Sequence, residues 1–129
     1  MPRMPLSSWD RYILVVEDDA ALRDLYRSAL RAVGYAVIGV EDGVDALRLV
    51  ENQRPAAIVL DLGLPRLHGR DVQRELKANP ATARIPVIVV TGKDTSDLDP
   101  IDFPYVFRKP TSPEALITAV EKCLRRMPA

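Results

Sequence analysis

Apolar residues gather in five short runs, at 12–16, 36–40, 56–60, 86–90 and 105–107, and each run ends in charged, polar or turn-forming residues. Short continuous apolar runs bounded by turn signals read as strands buried on both faces. Between them the period changes. Leu22, Leu25, Tyr26, Ala29, Leu30 and Val33 recur at three- and four-residue spacing, with Arg23, Arg27 and Arg31 opposite and Gly34 as the stop. A second helix runs over 44–52 with Val44, Leu47 and Val50 inward, and Arg54-Pro55 closes it. A third covers 70–78 and presents Val72 and Leu76. A last one starts at Ser112-Pro113-Glu114 and buries Ala115, Leu116, Ala119, Val120, Cys123 and Leu124. The stretch 93–104 lacks a helical stripe: it holds several aspartates, two prolines and only Leu98, Ile101 and Phe103 as large apolar residues. One helical turn or an ordered loop is expected there. The pattern is strand–helix repeated five times with one helix degraded. It predicts an α/β domain with a doubly wound, five-stranded parallel sheet and right-handed crossovers.

The strand ends are where chemistry is expected, because ligands of open α/β sheets bind beyond the carboxyl ends of the strands. The run 56–60 leads straight into Asp61, and Gly63 and Pro65 then break the chain. Glu17 and Asp18 follow the first run, Thr91 the fourth and Lys109 the fifth. Taken singly, each has a plain structural reading: Asp61 or Thr91 as a cap, Lys109 as solvated surface, the acids as partners of a helix N-terminus. Together they put three carboxylates, a hydroxyl and an amine on one rim of the sheet. At ~5 Å and an effective dielectric of ~20, each carboxylate pair repels by about 3 kcal/mol. Such a cluster calls for an ammonium and a divalent cation. Mg²⁺, which takes a few carboxylates with carbonyl and water oxygens, suits it, and Mn²⁺ is the substitute.

Composition narrows the function classes. The 129 residues carry 18 Lys+Arg against 18 Asp+Glu, so no basic surplus supports nucleic-acid binding. No run reaches the ~18 apolar residues of a membrane span. The start, MPRMPLSSWD, has no signal-peptide core. Cys123 is the single cysteine, so an intrachain disulfide is excluded and a reducing, cytoplasmic setting is expected. Residues 1–10 read as a flexible lead-in and 11–127 as the domain. Trp9 reads as a tail contact, Cys123 as a small core residue and His68 as a loop residue at a helix entrance.

The motifs VVEDD, LDLGLP, VVTG and FRKP, in this order, resemble the response-regulator receiver domain of two-component signalling, and the resemblance spans 12–124. It implies a flavodoxin-like strand order 2-1-3-4-5. It implies that Asp61 accepts a phosphoryl group from a sensor histidine kinase or histidine phosphotransfer protein. Glu17, Asp18, Asp61 and the Gly63 carbonyl would hold Mg²⁺, Thr91 would close on the phosphoryl group, and Lys109 would pair with it. A cis Lys109-Pro110 bond is expected. The output is contact with a downstream protein whose identity, like the oligomeric state, the motifs leave open. Arg66 lies near the site as a candidate tuning residue that would meet phosphate or a partner, with solvated surface as its plain reading.

Three positions depart from the family pattern. The interval from Thr91 to Lys109 is short where the family has its fourth helix, which puts partner contact through that face in doubt. Val106 stands where an aromatic is usual, while Tyr105 and Phe107 point to the other face. Gly63 and Lys93 occupy the positions that tune phosphate loss, so slow self-hydrolysis is expected. The start at Met1 and the lack of room after Leu124 suggest a stand-alone domain without an output module. The rival readings are a receiver-like module that binds partners without phosphorylation, and an aspartate-based phosphohydrolase. Gly63 offers the latter no general acid.

Overall fold

Strong β formers flanked by turn residues produce the strands, and capping side chains set where the helices begin. The computed structural model describes residues 12–92 and 94–126. Its elements are β1 (Ile13–Val16), α1 (Ala20–Ala32), β2 (Val37–Val40), α2 (Gly43–Asn52), β3 (Ala57–Leu60), α3 (Gly69–Ala78), β4 (Val87–Thr91), β5 (Tyr105–Arg108) and α4 (Pro113–Arg126). All paired strands are parallel, in the order β2-β1-β3-β4-β5. The predicted strand order and the expected cis Lys109-Pro110 bond are both present.

Alternation along the strands divides the core in two. Leu14, Val16, Ile58, Leu60 and Val89 pack with Ala46 and Val50 of α2 and Val72 and Leu76 of α3. Ile13, Val15, Val59, Ile88 and Val90 pack with Tyr26 and Leu30 of α1 and Leu116, Val120 and Cys123 of α4. The helices thus cover both faces of the sheet. Asp19, Asp42 and Ser112 cap α1, α2 and α4 by accepting from the backbone N–H of Leu22 (3.1 Å), Asp45 (2.9 Å) and Ala115 (3.1 Å). At the end of α1, Gly34 takes φ +105°, and the N–H groups of Gly34 and Tyr35 close on the carbonyls of Arg31 and Leu30.

The buried face of α1 is rotated from the predicted stripe. Leu25 and Val33 were expected inward but are 48% and 52% exposed. The core side is centred on Tyr26 and Leu30. At 3.6 residues per turn Arg23 lies about 60° from Tyr26 on the Leu30 side, while Leu25 lies about 100° away on the other. Val33 is already the C-cap, outside the regular helix. Arg23 and Arg31, expected on the far face, instead reach the sheet edge: Arg23 Nη1 donates to the Glu17 carbonyl (2.9 Å) and Arg31 Nη2 to the Val37 carbonyl (3.1 Å).

No helix forms between Thr91 and Tyr105 among the described residues. Residues 94–104 make consecutive turns, closed by Leu98 N–H on the Thr95 carbonyl and Phe103 N–H on the Asp99 carbonyl. Side chains of α3 hold this segment in place. Gln73 Nε2 donates to the Asp102 carbonyl (2.8 Å), and Arg70 pairs with Asp97 (2.9 Å). Ile101 is 84% exposed.

Tyr12 precedes β1 with its ring in the core and its hydroxyl donating to the Gln53 carbonyl at the end of α2. Burial pushes this phenol up to about 12. A raised folded-state value means that its contribution is whole below the unfolded value near pH 10 and is lost as pH rises towards about 12. Two units correspond to about 3 kcal/mol. Between roughly pH 9 and 12 the protein is therefore expected to lose about 2 kcal/mol more stability than its Tyr12→Phe variant, read by urea unfolding. Parallel loss in the two proteins would contradict this.

Candidate phosphoryl-acceptor site at the carboxyl rim of the sheet

Strand register places the site residues. Val16 of β1 stands opposite Leu60 of β3, so the residues that follow, Glu17 and Asp61, leave adjacent strands at the same height. The ladder continues into them: Asp61 N–H donates to the Val16 carbonyl (3.1 Å) and Glu17 N–H to the Val40 carbonyl (3.0 Å). On the other side Thr91 is the last residue of β4, opposite Arg108, and its carbonyl accepts from Lys109 N–H (3.0 Å). Thr91 was expected just beyond the strand; it lies within it and is wholly buried.

Lys109 joins the two halves. Its ammonium lies 2.6 Å from Glu17 Oε1 and 3.2 Å from Asp61 Oδ2. Asp61 Oδ1 accepts from Gly63 N–H (3.1 Å), which sets the carboxylate's rotation. Glu17 Oε2 accepts from Asp19 N–H (3.2 Å). Glu17 and Asp61 are buried, whereas Asp18 is exposed. One oxygen from each of Glu17, Asp18 and Asp61 lies within 4.8 Å of the others. Three hard oxygen donors at that spacing fit a small divalent cation.

The charges explain the protonation behaviour. Burial is the main force raising Glu17 above the ordinary carboxylate value, and the charge of Asp61 adds to it; bonds from Lys109 and the Asp19 amide oppose the rise without cancelling it. Burial alone would lower the Lys109 ammonium, but the Glu17 hydrogen bond and the charges of Asp61 and Glu17 outweigh it and raise it. Lys109 is therefore a fixed cation at neutral pH. The rim holds more acid than one ammonium neutralises, which is the condition under which a divalent ion binds.

Of the residues singled out in the sequence, Glu17, Asp18, Asp61, Gly63 and Lys109 come together at this rim, and Thr91 reaches it through the Lys109 backbone. Val106 packs on the α2/α3 side of the sheet, while Tyr105 and Phe107 pack on the α1/α4 side, as alternation predicts. Lys93, Trp9 and the lead-in 1–10 lie outside the described residues. His68 is exposed at the N-cap of α3 and makes no side-chain cap bond. Arg66 pairs with Asp42, to which Nε donates at 3.1 Å, and with Asp45 at 3.4 Å. Two contributions escaped the motif reading: Arg23, which fixes the carbonyl of Glu17, and Asp42. Arg23 acts across the turn that joins β1 to α1, six residues from Glu17, and Asp42 acts by pairing with Arg66, 24 residues away, beyond its local role as a cap.

No helix among the described residues is long and apolar enough to cross a membrane. The sequence model of the response regulator receiver domain matches residues 13–121. Response regulator MprA of Mycobacterium sp. (strain KMS) is 40% identical over 119 residues, which are 88% of this chain and 50% of that protein. MprA of Mycobacterium leprae (strain TN) is 38% identical, with 88% and 51% covered. The chain therefore spans about half the length of the curated relatives it matches. Among solved structures, the receiver domain of a signal transduction histidine kinase from Syntrophus aciditrophicus superimposes with a TM-score of 0.80 at 28% identity, covering 92% of this chain and 96% of that one. The receiver domain of a sensor histidine kinase from Pseudomonas aeruginosa PAO1 does so at 0.79 and 30% identity, covering 89% and 98%, and was solved with a magnesium ion coordinated in its active site cleft. Fold, rim chemistry and sequence agree, and the chain belongs to the response regulator receiver domain family.

Proposed function

We propose that this receiver domain takes a phosphoryl group from a histidine kinase or histidine phosphotransfer protein onto Asp61 in a Mg²⁺-dependent reaction, and that phospho-Asp61 switches contact with a downstream protein. The observation that carries this reading is the Lys109 ammonium seated between Glu17 and Asp61, with Asp18 completing a three-carboxylate set. In the reaction an oxygen of Asp61 attacks the phosphorus of a phosphohistidine; the new O–P bond forms as the N–P bond breaks, and the imidazole leaves with the bonding pair. Charge spreads over the phosphoryl oxygens, so catalysis is positioning and neutralisation. Glu17, Asp18, Asp61 and the Gly63 carbonyl would hold Mg²⁺ or Mn²⁺, which when bound neutralises phosphoryl oxygens. Lys109, already held as a cation, supplies a second neutralising charge. The Gly63 N–H keeps the attacking carboxylate in one rotation. In the product three acceptor oxygens stand at the rim, and the hydroxyl of Thr91 is the group assigned to receive one of them.

Incubation with labelled acetyl phosphate tests the reading. Labelling at one site, dependent on Mg²⁺ and abolished by EDTA, is expected; no labelling would end it. That result would leave the rival reading, a module that binds partners without phosphorylation, which the helix-free segment 94–104 favours. Gly63 has no side chain to place a water, and Lys93 is assigned to the phosphoryl group rather than to water activation. Phospho-Asp61 is therefore expected to decay slowly, and a half-life of seconds in a chase experiment would contradict that assignment.

A further inference from the structure

Asp42 is buried, and its two carboxylate oxygens serve different segments. Oδ1 caps α2 through Asp45 N–H, and Oδ2 accepts from Nε and Nη2 of Arg66 on the loop between β3 and α3. A buried carboxylate is tolerated only when it is paired in this way. To reach it, Arg66 takes φ +63°, a left-handed conformation that side chains with a Cβ avoid. The same two segments touch again one residue further on. A Cβ on Gly43, the first residue of α2, would stand 2.5 Å from the Leu67 carbonyl and 2.6 Å from Val72 Cγ2, so only glycine permits the approach. Arg66 lies on the loop that begins with Asp61 and Gly63.

We propose that the Arg66–Asp42 pair is a positioning device that bolts the β3–α3 loop to the N-terminus of α2 and so presets Asp61 and the Gly63 carbonyl for a divalent cation. The inference rests on the reading of those two groups as facing the metal. Its physical basis is preorganisation: a loop already fixed in its binding geometry does not lose that conformational freedom when the ion arrives. Neither Arg66 nor Asp42 touches the cation or the phosphoryl group.

Two single variants and their combination test it. Arg66→Gly removes the guanidinium while permitting the left-handed backbone. Asp42→Asn retains a capping oxygen while removing the charge. Each is expected to raise the Mg²⁺ concentration for half-maximal acetyl phosphate labelling by about threefold, below the roughly tenfold low end for groups bonded directly to a metal ligand, because the pair acts on Asp61 and Gly63 through the loop. The labelling rate at saturating Mg²⁺ is expected to stay within about twofold, because only the metal requirement is changed. The double variant is expected to be no worse than either single one, since one pair is lost in all three. Val50→Ala, a core truncation that lowers thermal stability, is expected to leave the Mg²⁺ requirement in place. Faster amide exchange of residues 62–67 in both single variants would accompany the effect. An unchanged Mg²⁺ requirement with unchanged exchange would overturn the proposal, and so would an equal shift in Val50→Ala. If the unaltered protein takes no label, the phosphoacceptor reading fails by itself. Mg²⁺ titration followed by NMR, together with loop exchange, then decides the bolt: weaker binding with faster exchange upholds it, and anything else overturns it.

Discussion

Replacing Asp61 by asparagine is expected to abolish labelling by acetyl phosphate completely while leaving the protein folded. The amide has nearly the shape of the carboxylate but no anionic oxygen to form the acyl phosphate. The structure adds a second expectation, with a sign. Asp61 is buried among acids, with the Lys109 ammonium at 3.2 Å from its Oδ2 and oxygens of Glu17 and Asp18 within 4.8 Å. Its loss removes one attraction of about 5 kcal/mol at 3.2 Å and two repulsions that together come to about 7 kcal/mol at separations up to 4.8 Å, at an effective dielectric of ~20. Stability without Mg²⁺ is therefore expected not to fall, and the rise in Tm on adding Mg²⁺ is expected to shrink. Calorimetry at two Mg²⁺ concentrations, alongside the labelling assay, separates the outcomes. Retained labelling would show a different acceptor. Lost labelling with lower stability in the absence of Mg²⁺ would make Asp61 a structural residue first.

Gly69→Ala should show the largest effect of any single added methyl group at this site. Gly69 opens α3, and its N–H donates to the Leu62 carbonyl (3.1 Å). A Cβ there would stand 2.4 Å from the Asp61 carbonyl oxygen and 2.6 Å from Leu62 Cα, both backbone atoms with no rotamer to give way. Either α3 or the turn carrying Asp61 must move. Overpacking of this kind costs about 3 kcal/mol at the upper end of its range, which lowers Tm by roughly 10 °C in a domain of this size. On the proposed phosphoacceptor reading, a displaced Asp61 also loses alignment with the phosphodonor, and a misplacement of about 1 Å slows such a reaction about 100-fold. Urea unfolding and labelling at saturating Mg²⁺ read the two effects. A variant with unchanged midpoint and rate would show that α3 does not press on the acceptor turn.

Local chemistry announced much of this molecule. Five apolar runs became five strands because no polar position interrupts them, and helices therefore had to cover both faces. Ser112 was legible as a cap because it precedes Pro113 and Glu114 at the start of α4, whereas the cap at Asp42 was not read from the turn Glu41-Asp42-Gly43. The missing fourth helix was equally legible, since 94–104 offers neither a stripe nor freedom from proline. The charged residues at the strand ends were readable as a set because a parallel sheet brings every strand's carboxyl end to one rim. The failures share a cause. Leu25 and Arg23 exchanged their expected surroundings because the rotation of α1 is set by Tyr26 and Leu30 meeting α4 and the sheet, which a helical period alone does not specify.

The sequence by itself determined the strand and helix count, the parallel sheet and the identity of the acids, hydroxyl and amine at its rim, because each follows from periodicity and from residue chemistry at known strand ends. The tertiary structure decided which of these groups touch: that Lys109 bonds both Glu17 and Asp61, that Arg23 holds the turn after β1, and that Arg66 pairs with Asp42. The Lys109 and Arg66 contacts join segments at least 24 residues apart, whereas Arg23 and Glu17 are six apart, on either side of one turn. Long charged side chains reach several alternative partners, and the choice among them is made by backbone placement at the sub-ångström to ångström scale, which no local pattern encodes.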